Sequence, residues 1–407
     1  MNENPQSSLR SWLGVAAITA SLFTFVTTEM MPVGLLTPMS SSLHVAVGVA
    51  GLMVTLYGVS AGLGVPFLIA WTRHVNRRLL LSALLAVLAV GNLVTAAAPD
   101  FAVIMAIRLL MGFANGAFWA IGVSMAMRLV PGRHANRAAS VALSGVSIAT
   151  VAGIPLGTFL ASVSSWRTTF LIWSGLSAVV FAAVAVTVPS LPSDSAVPAR
   201  EVFALPRENA RLRLVMATVV LYVLGHFCAY TFVRPFLEKS SSASAAFITG
   251  LLVVYGVGGA IGNFLAGYTV TKSVKGSYLA ARAGLVLSLL VLLAAGHSRV
   301  GAIVALTLWG VCFGAANLCQ INLVLAAAPD RFEAAMAINT LGYNLSIALG
   351  ALVGGVFADA AGVTSAVWFG AGLAALSVVV TGVVRRKEPA AGAETVSDAD
   401  EALAVAG

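Results

Sequence analysis

Two charged residues stand where charge is expensive. Glu29 lies in a stretch with no other Asp, Glu, Lys or Arg between Arg10 and Arg73, and Arg108 in one that runs from Asp100 to Arg128. Both stretches are otherwise apolar, and an ionisable group at the centre of a bilayer costs at least about 2.5–3.5 kcal/mol. A carboxylate kept at that cost can alternate between a proton and another partner. A guanidinium stays protonated at physiological pH, so Arg108 can position or balance that acid but cannot carry the proton. At about 1.5 Å per helical residue, Glu29 sits about 13 Å and Arg108 about 10 Å below the same membrane face, so the two can meet. His226, about 18 Å into a further apolar stretch, is a second candidate proton site because histidine titrates near neutrality. Hydrogen-bonded packing is the other reading of a lone membrane histidine. Glu29, Arg108 and His226 are thus the proton-coupling candidates.

The polar side chains that could meet a solute are Asn115, Trp119, Tyr230, Asn317, Gln320, Asn339 and Tyr343. An amide facing lipid is costly, so each faces the helix bundle or a cavity, and bonding between helices is the alternative for every one of them. One acid balanced by an arginine, beside amides and aromatics, suits a neutral or weakly cationic small amphipathic compound. Catalysis has no candidates. No phosphate-binding glycine loop with its lysine is present, and the five histidines and Cys228, Cys312 and Cys319 lack metal-ligand spacing. The sequence therefore predicts neither an enzyme nor a bound cofactor or metal.

The elements that must position these residues follow from composition. Of 407 residues, 59% are hydrophobic and only 9% charged, against about 25% charged in soluble domains. Such a chain cannot clothe a water-facing surface, which excludes a soluble enzyme and a nucleic-acid-binding domain. Twelve apolar stretches of about 20 residues can be cut at Gly, Pro and charge signals, at about 12–38, 47–70, 79–98, 101–125, 138–162, 168–188, 214–237, 245–270, 277–296, 300–326, 334–358 and 363–384. They lack the alternation of a barrel strand, so all are read as helices. The first is too long for the core of a signal peptide. Most of the 23 Lys and Arg, including Arg73, Arg77, Arg133, Arg213 and the run Arg385–Lys387, fall on one side if both termini are cytoplasmic. The net charge of +8 is then a topology signal, and no nucleic-acid partner is needed to explain it.

The two halves repeat. Tyr57-Gly58-Val59 recurs as Tyr255-Gly256-Val257, a spacing of 198 residues, and at that same spacing Gly64, Gly112, Gly116 and Gly157 meet Gly262, Gly310, Gly314 and Gly355. Each half has six stretches, an even number, so the repeat is parallel. The expected architecture is an all-α polytopic membrane protein of twelve transmembrane helices, in two six-helix bundles related by a pseudo-two-fold axis along the membrane normal. Its parts are an amino-terminal bundle (1–188), a cytoplasmic linker (189–213), a carboxy-terminal bundle (214–387) and an acidic, disordered tail (388–407). Glycines four apart, such as Gly112/Gly116 and Gly153/Gly157, allow close helix approach.

These residues resemble a family. The chain is similar, over 12–384, to the twelve-helix drug:proton antiporter branch of the major facilitator superfamily, above all to bacterial sugar-, arabinose- and chloramphenicol-efflux permeases. Thr28-Glu29-Met30-Met31-Pro32-Val33-Gly34-Leu35-Leu36 resembles the first-helix pattern of that group. Arg108, Gly112, Asn115, Gly116 and Phe118 resemble its fourth-helix pattern, whose arginine is tied to proton coupling. Gly153-Ile154-Pro155-Leu156-Gly157 resembles the fifth-helix antiporter motif, with Ile154 inserted between glycine and proline. The loop Ala70-Trp71-Thr72-Arg73-His74-Val75-Asn76-Arg77-Arg78 departs from the family pattern in having no aspartate. The resemblance implies a monomeric carrier in the bacterial cytoplasmic membrane, exchanging protons for a small organic solute by alternating access. A facilitator or proton symporter of the same fold is the alternative. Gly153, Pro155 and Gly157, Arg73 and Arg77, and Arg234 with Pro235 are the gating candidates. Arg234 sits at a helix end, where snorkelling to the interface is expected.

Overall fold

The computed structural model describes residues 5–71, 75–192, 199–241 and 243–387. Arg73, the middle of the linker and the tail after residue 387 lie outside the described residues. No strand occurs among those described. Eleven helices among the described residues are long and apolar enough to cross a bilayer. One of them, Ala245–Ala295, has 51 residues and leaves helical geometry at Ser273 (φ −164°, ψ 104°). It therefore makes two crossings, and the total is twelve.

The first half contains α1 (Pro5–Leu43), α2 (Val47–Trp71), α3 (Arg77–Ala97) and α4 (Phe101–Arg128). Its fifth crossing is shared by α5 (Ala135–Ile148) and α6 (Ile154–Val163) across a π-helical turn at Ala149–Gly153, and α7 (Trp166–Thr187) closes it. In the linker, α8 (Ala199–Glu208) is a short helix. The second half runs through α9 (Ala210–Tyr230), α10 (Val233–Ser241), α11 (Ala245–Ala295), α12 (Arg299–Ala327), α13 (Phe332–Ala361) and α14 (Val363–Lys387). The seventh stretch, expected to be one helix to residue 237, is broken after Tyr230 and restarts at Val233, with Pro235 in the first turn of α10, where a missing N–H is tolerated.

Polar caps set the turns. Asp100 accepts from the Val103 N–H at 3.0 Å, Ser165 from Thr168 at 3.1 Å and Ser298 from Gly301 at 3.0 Å, each satisfying an orphan donor at a helix start. Between the caps, large apolar side chains such as Phe264, Val300 and Val186 face outward, as a bilayer-facing surface requires. The linker helix α8 buries Val202 and Leu205 against Leu212, Met216 and Val324. Glu208 pairs with Arg331 at 2.8 Å, and Asn209 donates to the Ala327 carbonyl at 2.7 Å. The end of the linker is thus docked on the second half.

The repeat is realised contact by contact. A Cβ on Gly112 would strike the Tyr57 carbonyl, and one on Gly310 the Tyr255 carbonyl, 198 residues later in both partners. Gly116 abuts Ala61 as Gly314 abuts Gly259. Between the halves the relation crosses over: Gly58 packs on Asn344 and Ala348 of α13, while Gly256 packs on Thr150 and Val151 of the π-turn. Residues 58 and 256 correspond under the repeat, and so do 150 and 348. That exchange is what a two-fold axis between two bundles produces.

Candidate functional site

The site begins with two prolines inside α1. A proline has no N–H, so the carbonyl four residues back loses its helical donor. Pro32 frees Thr28 in this way and Pro38 frees Gly34. Both carbonyls are taken by guanidinium groups. Arg108 donates from Nη1 to the Thr28 carbonyl at 2.9 Å, and Arg234 donates to the Gly34 carbonyl across the two halves.

Arg108 is wholly buried, with its guanidinium 5.6 Å from the Tyr57 ring centre and 5.4 Å from that of Phe170. Its Nε and Nη2 donate to no protein atom. Glu29, also buried, accepts through Oε2 from Asn115 Nδ2 at 3.2 Å. Glu29 and Arg108 are in Coulombic contact but form no ion pair within 4.0 Å. The expected meeting is therefore indirect: the freed carbonyl of Thr28 captures the arginine one residue before the acid, and an amide takes the acid. Asn92 adds a 3.2 Å bond to the Thr28 hydroxyl. Gly153 packs on Thr27 and Gly157 on Met31, so the glycines of the fifth crossing press this part of α1 from behind. Pro155 follows the π-turn, where such turns often mark functional sites.

In the second half, His226 is fully buried in an aromatic box. Its ring stacks on Phe313, with centroids 3.6 Å apart, and on Tyr230 at 5.1 Å, and meets Trp309 edge-on at 5.4 Å. Trp309 Nε1 donates to Nδ1 at 2.9 Å, and Nε2 lies 3.4 Å from the Tyr255 hydroxyl. An indole nitrogen only donates, so Nδ1 is held as an acceptor and the ring proton sits on Nε2.

A second polar cluster lies beside that box. Tyr222 donates to Gln320 Oε1, and Gln320 Nε2 donates to Asn339 Oδ1 at 3.4 Å. Tyr222 meets Tyr278 edge-on at 6.0 Å. Arg282, fully buried, stacks its guanidinium 4.0 Å from the Tyr278 ring centre and donates to the Thr381 hydroxyl. Tyr343, half-buried on α13, lies in Coulombic reach of Glu29 on one side and of Tyr278 and Tyr222 on the other.

Other expected residues fall elsewhere. Asn317 is half-buried and makes no side-chain hydrogen bond among the described residues. Trp119 borders the core of the first half. Arg77 is buried at the start of α3, and its backbone N–H donates to the Leu191 carbonyl at 3.0 Å, where the linker begins. Arg234 is not a snorkelling anchor: besides Gly34 it pairs with Glu238 at 2.8 Å. Sequence reasoning missed Tyr57, Tyr222, Tyr278 and Arg282. For Arg282 a signal existed, since it lies inside the ninth apolar stretch, but a charge a few residues in from the stretch's start reads as a membrane-edge charge. The buried tyrosines carried no signal that separates them from packing.

Comparison with known proteins agrees with this architecture. A family model described as Major Facilitator Superfamily matches residues 17–332 and, again, 215–405. Among solved structures, a nucleoside transporter, NupG, superposes with a TM-score of 0.75 at 13% identity, over 91% of this chain and 98% of that one. The human organic anion transporter TETRAN gives a TM-score of 0.64 at 16% identity, over 93% and 100%. A bacterial homologue of the human lysosomal transporter Spinster, in an inward-facing, unoccupied conformation, gives 0.65 at 14%, over 94% and 96%. At these identities the likeness is one of fold.

Proposed function

The chain belongs to the major facilitator superfamily, and from that membership we propose that it exports a small organic compound in exchange for protons by alternating access. It is a multi-pass membrane transporter of small solutes; direction and coupling are the proposal. The observation that carries it is Glu29, a carboxylate buried inside a membrane-spanning helix, held by Asn115 and in Coulombic contact with Arg108. A buried acid with a single amide bond can exchange a proton without breaking a salt bridge. In this reading Glu29 takes up a proton when the site opens outward and releases it to the cytoplasm. Arg108 positions the acid through the Thr28 carbonyl. His226, whose Nδ1 is already bonded to Trp309, is the secondary candidate.

Solute would bind between the halves, against Asn115, Tyr343, Gln320 and Asn339, with Tyr230 and Trp119 as aromatic walls and Asn317 nearby. The first bundle (1–188) and second bundle (214–387) would rock about this point as a monomer in the bacterial cytoplasmic membrane, with both termini inside, as the distribution of basic residues favours. The π-turn with Gly153, Pro155 and Gly157, and Arg234 with Pro235, would serve the gate. The neighbours include a transporter of nucleosides and one of organic anions, and both solute classes are within range of a site with amides, aromatics and charge.

The test is a susceptibility and efflux screen in a pump-deficient host, followed by flux of each hit in inverted vesicles. Acidification of the vesicle lumen should drive substrate accumulation, and Glu29→Gln should abolish it while leaving solute exchange at least partly intact. Normal gradient-driven transport by Glu29→Gln would remove Glu29 from the mechanism. Substrate moving with the proton rather than against it would establish a symporter.

A further inference from the structure

Among the described residues, three arginines are buried deep in the helices that follow α3: Arg108, Arg234 and Arg282. Arg108 faces Glu29, and Arg234 pairs with Glu238. Arg282 has no acid. Its guanidinium is wholly buried, its electrostatic neighbours are Tyr278 and Tyr222, and its Nε and Nη1 donate to no protein atom. No carboxylate of a described residue pairs with it. A guanidinium cannot shed its proton to escape this position, and a buried cation without a counter-charge is costly inside a membrane.

The surroundings are polarised to match. Tyr222 donates to Gln320, and Gln320 donates to Asn339, so the chain of hydrogen bonds ends on the Asn339 amide, whose Nδ2 is a donor. Guanidinium, amide and phenol groups all offer N–H or O–H. Beside them stand the stacked rings of His226, Phe313 and Tyr230, an apolar wall for a planar body.

We infer that the second half holds an anion subsite, with Arg282 as the counter-charge, and that the transported solute is an organic anion: a carboxylate on a small aromatic or planar body. The anion supplies the missing negative charge, accepting from Arg282 and from the Asn339 amide while its ring lies toward the aromatic box. This deepens the proposed transporter reading and rests on it, but the charge balance asks for the anion whether protons are exchanged or co-transported. It replaces the neutral or weakly cationic solute that the sequence suggested, because that expectation weighed only Arg108 against Glu29 and left out Arg282.

The test uses the full-length protein in nanodiscs and three acid–amide pairs as probes: benzoate and benzamide, nicotinate and nicotinamide, indole-3-acetate and indole-3-acetamide. Binding is read as a rise in melting midpoint over a concentration series. At least one acid should bind at least tenfold more tightly than its amide. Arg282→Gln should abolish that preference while leaving amide binding as it was, and Arg282→Lys should keep part of it. If Arg282→Gln fails to accumulate, Arg282→Lys carries the test: its preference for acids should fall below the parent's without vanishing, and an undiminished preference overturns the subsite. Acids and amides that behave alike with the wild type, in binding or in failing to bind, overturn the subsite, as does a preference that survives Arg282→Gln. A neutral solute exchanged for protons through Glu29 while every acid is refused would sink the anion subsite alone. Arg282-dependent acid binding without proton-coupled flux would sink the exchange reading alone.

Discussion

Pro32 does its work through an absence. Without an N–H at position 32 the Thr28 carbonyl is open, and Arg108 occupies it at 2.9 Å. Replacing Pro32 with Ala supplies an N–H that can close the helical bond and compete with the guanidinium. Proline inside a helix costs about 3 kcal/mol relative to alanine, so Pro32→Ala should not lower the melting midpoint. Proton-driven flux should nevertheless fall at least tenfold, because Arg108 loses its anchor beside Glu29. A variant as stable as the parent with unchanged flux would show that the carbonyl does not position the arginine. Arg108→Lys should likewise lower proton-driven flux, since an ammonium offers no planar group to stack near Tyr57 and Phe170. At this scale the charged residues of the first half were legible, because a lone acid and a lone arginine in apolar stretches announce themselves. Their actual linkage was not. It runs through a backbone carbonyl, and only the three-dimensional path of α4 beside α1 reveals which carbonyl is in reach.

At the scale of helices, glycines that look alike in sequence have two different duties. Gly112 and Gly310 bring neighbouring helices of one bundle into backbone contact, whereas Gly58 and Gly256 lie between bundles. Both kinds fall in the same glycine-rich, small-residue pattern, so the pattern could announce close packing and the repeat but not this division. The distinction is testable by comparing variants. Gly112→Val overpacks a permanent contact, at a cost of about 1–3 kcal/mol or more, and should lower the melting midpoint and the yield. Gly256→Ala meets the Thr150 carbonyl and Val151 of the π-turn, near 2.6–2.7 Å from the new Cβ, a contact that the proposed rocking of the two halves would break in each cycle. It should accumulate normally yet transport more slowly, with the equilibrium moved toward the state in which α11 and the π-turn are apart. Equal loss of yield in both variants would erase the difference between the two kinds of contact. The same scale explains the misjudged seventh stretch. A hydropathy reading sees continuous apolar character to residue 237, but not the break after Tyr230 that turns Arg234 toward α1.

For the whole molecule, polar bonds tie the two halves together near the face opposite the termini. There the carboxylate of Asp359, at the end of α13, accepts from the Gly48 N–H at 2.7 Å, the second residue of α2, where a helix start favours negative charge. Gly48 and Gly355 meet backbone to backbone beside it, and Arg234 crosses from α10 to the Gly34 carbonyl. A charge at an exposed helix start contributes about 0.3–1 kcal/mol, and a hydrogen bond from a charged donor about 1.5–3 kcal/mol. Together they favour the closed state by about 2 kcal/mol or more, a population ratio of about 30-fold, since 1.4 kcal/mol is tenfold. The double variant Asp359→Asn with Arg234→Gln should lose most of this bias. Spin labels on Ser42→Cys and Ala361→Cys, both exposed near this face, report it directly, because Cys228, Cys312 and Cys319 are buried and should take up little label. The parent protein should give one short distance, and the double variant should add a longer population comparable to it. Each single variant should fall between, with Arg234→Gln the larger effect because its bond is buried and that of Asp359 faces water. A distance distribution unchanged in the double variant would mean that packing at Gly48 and Gly355, and not the two polar bonds, keeps this face closed.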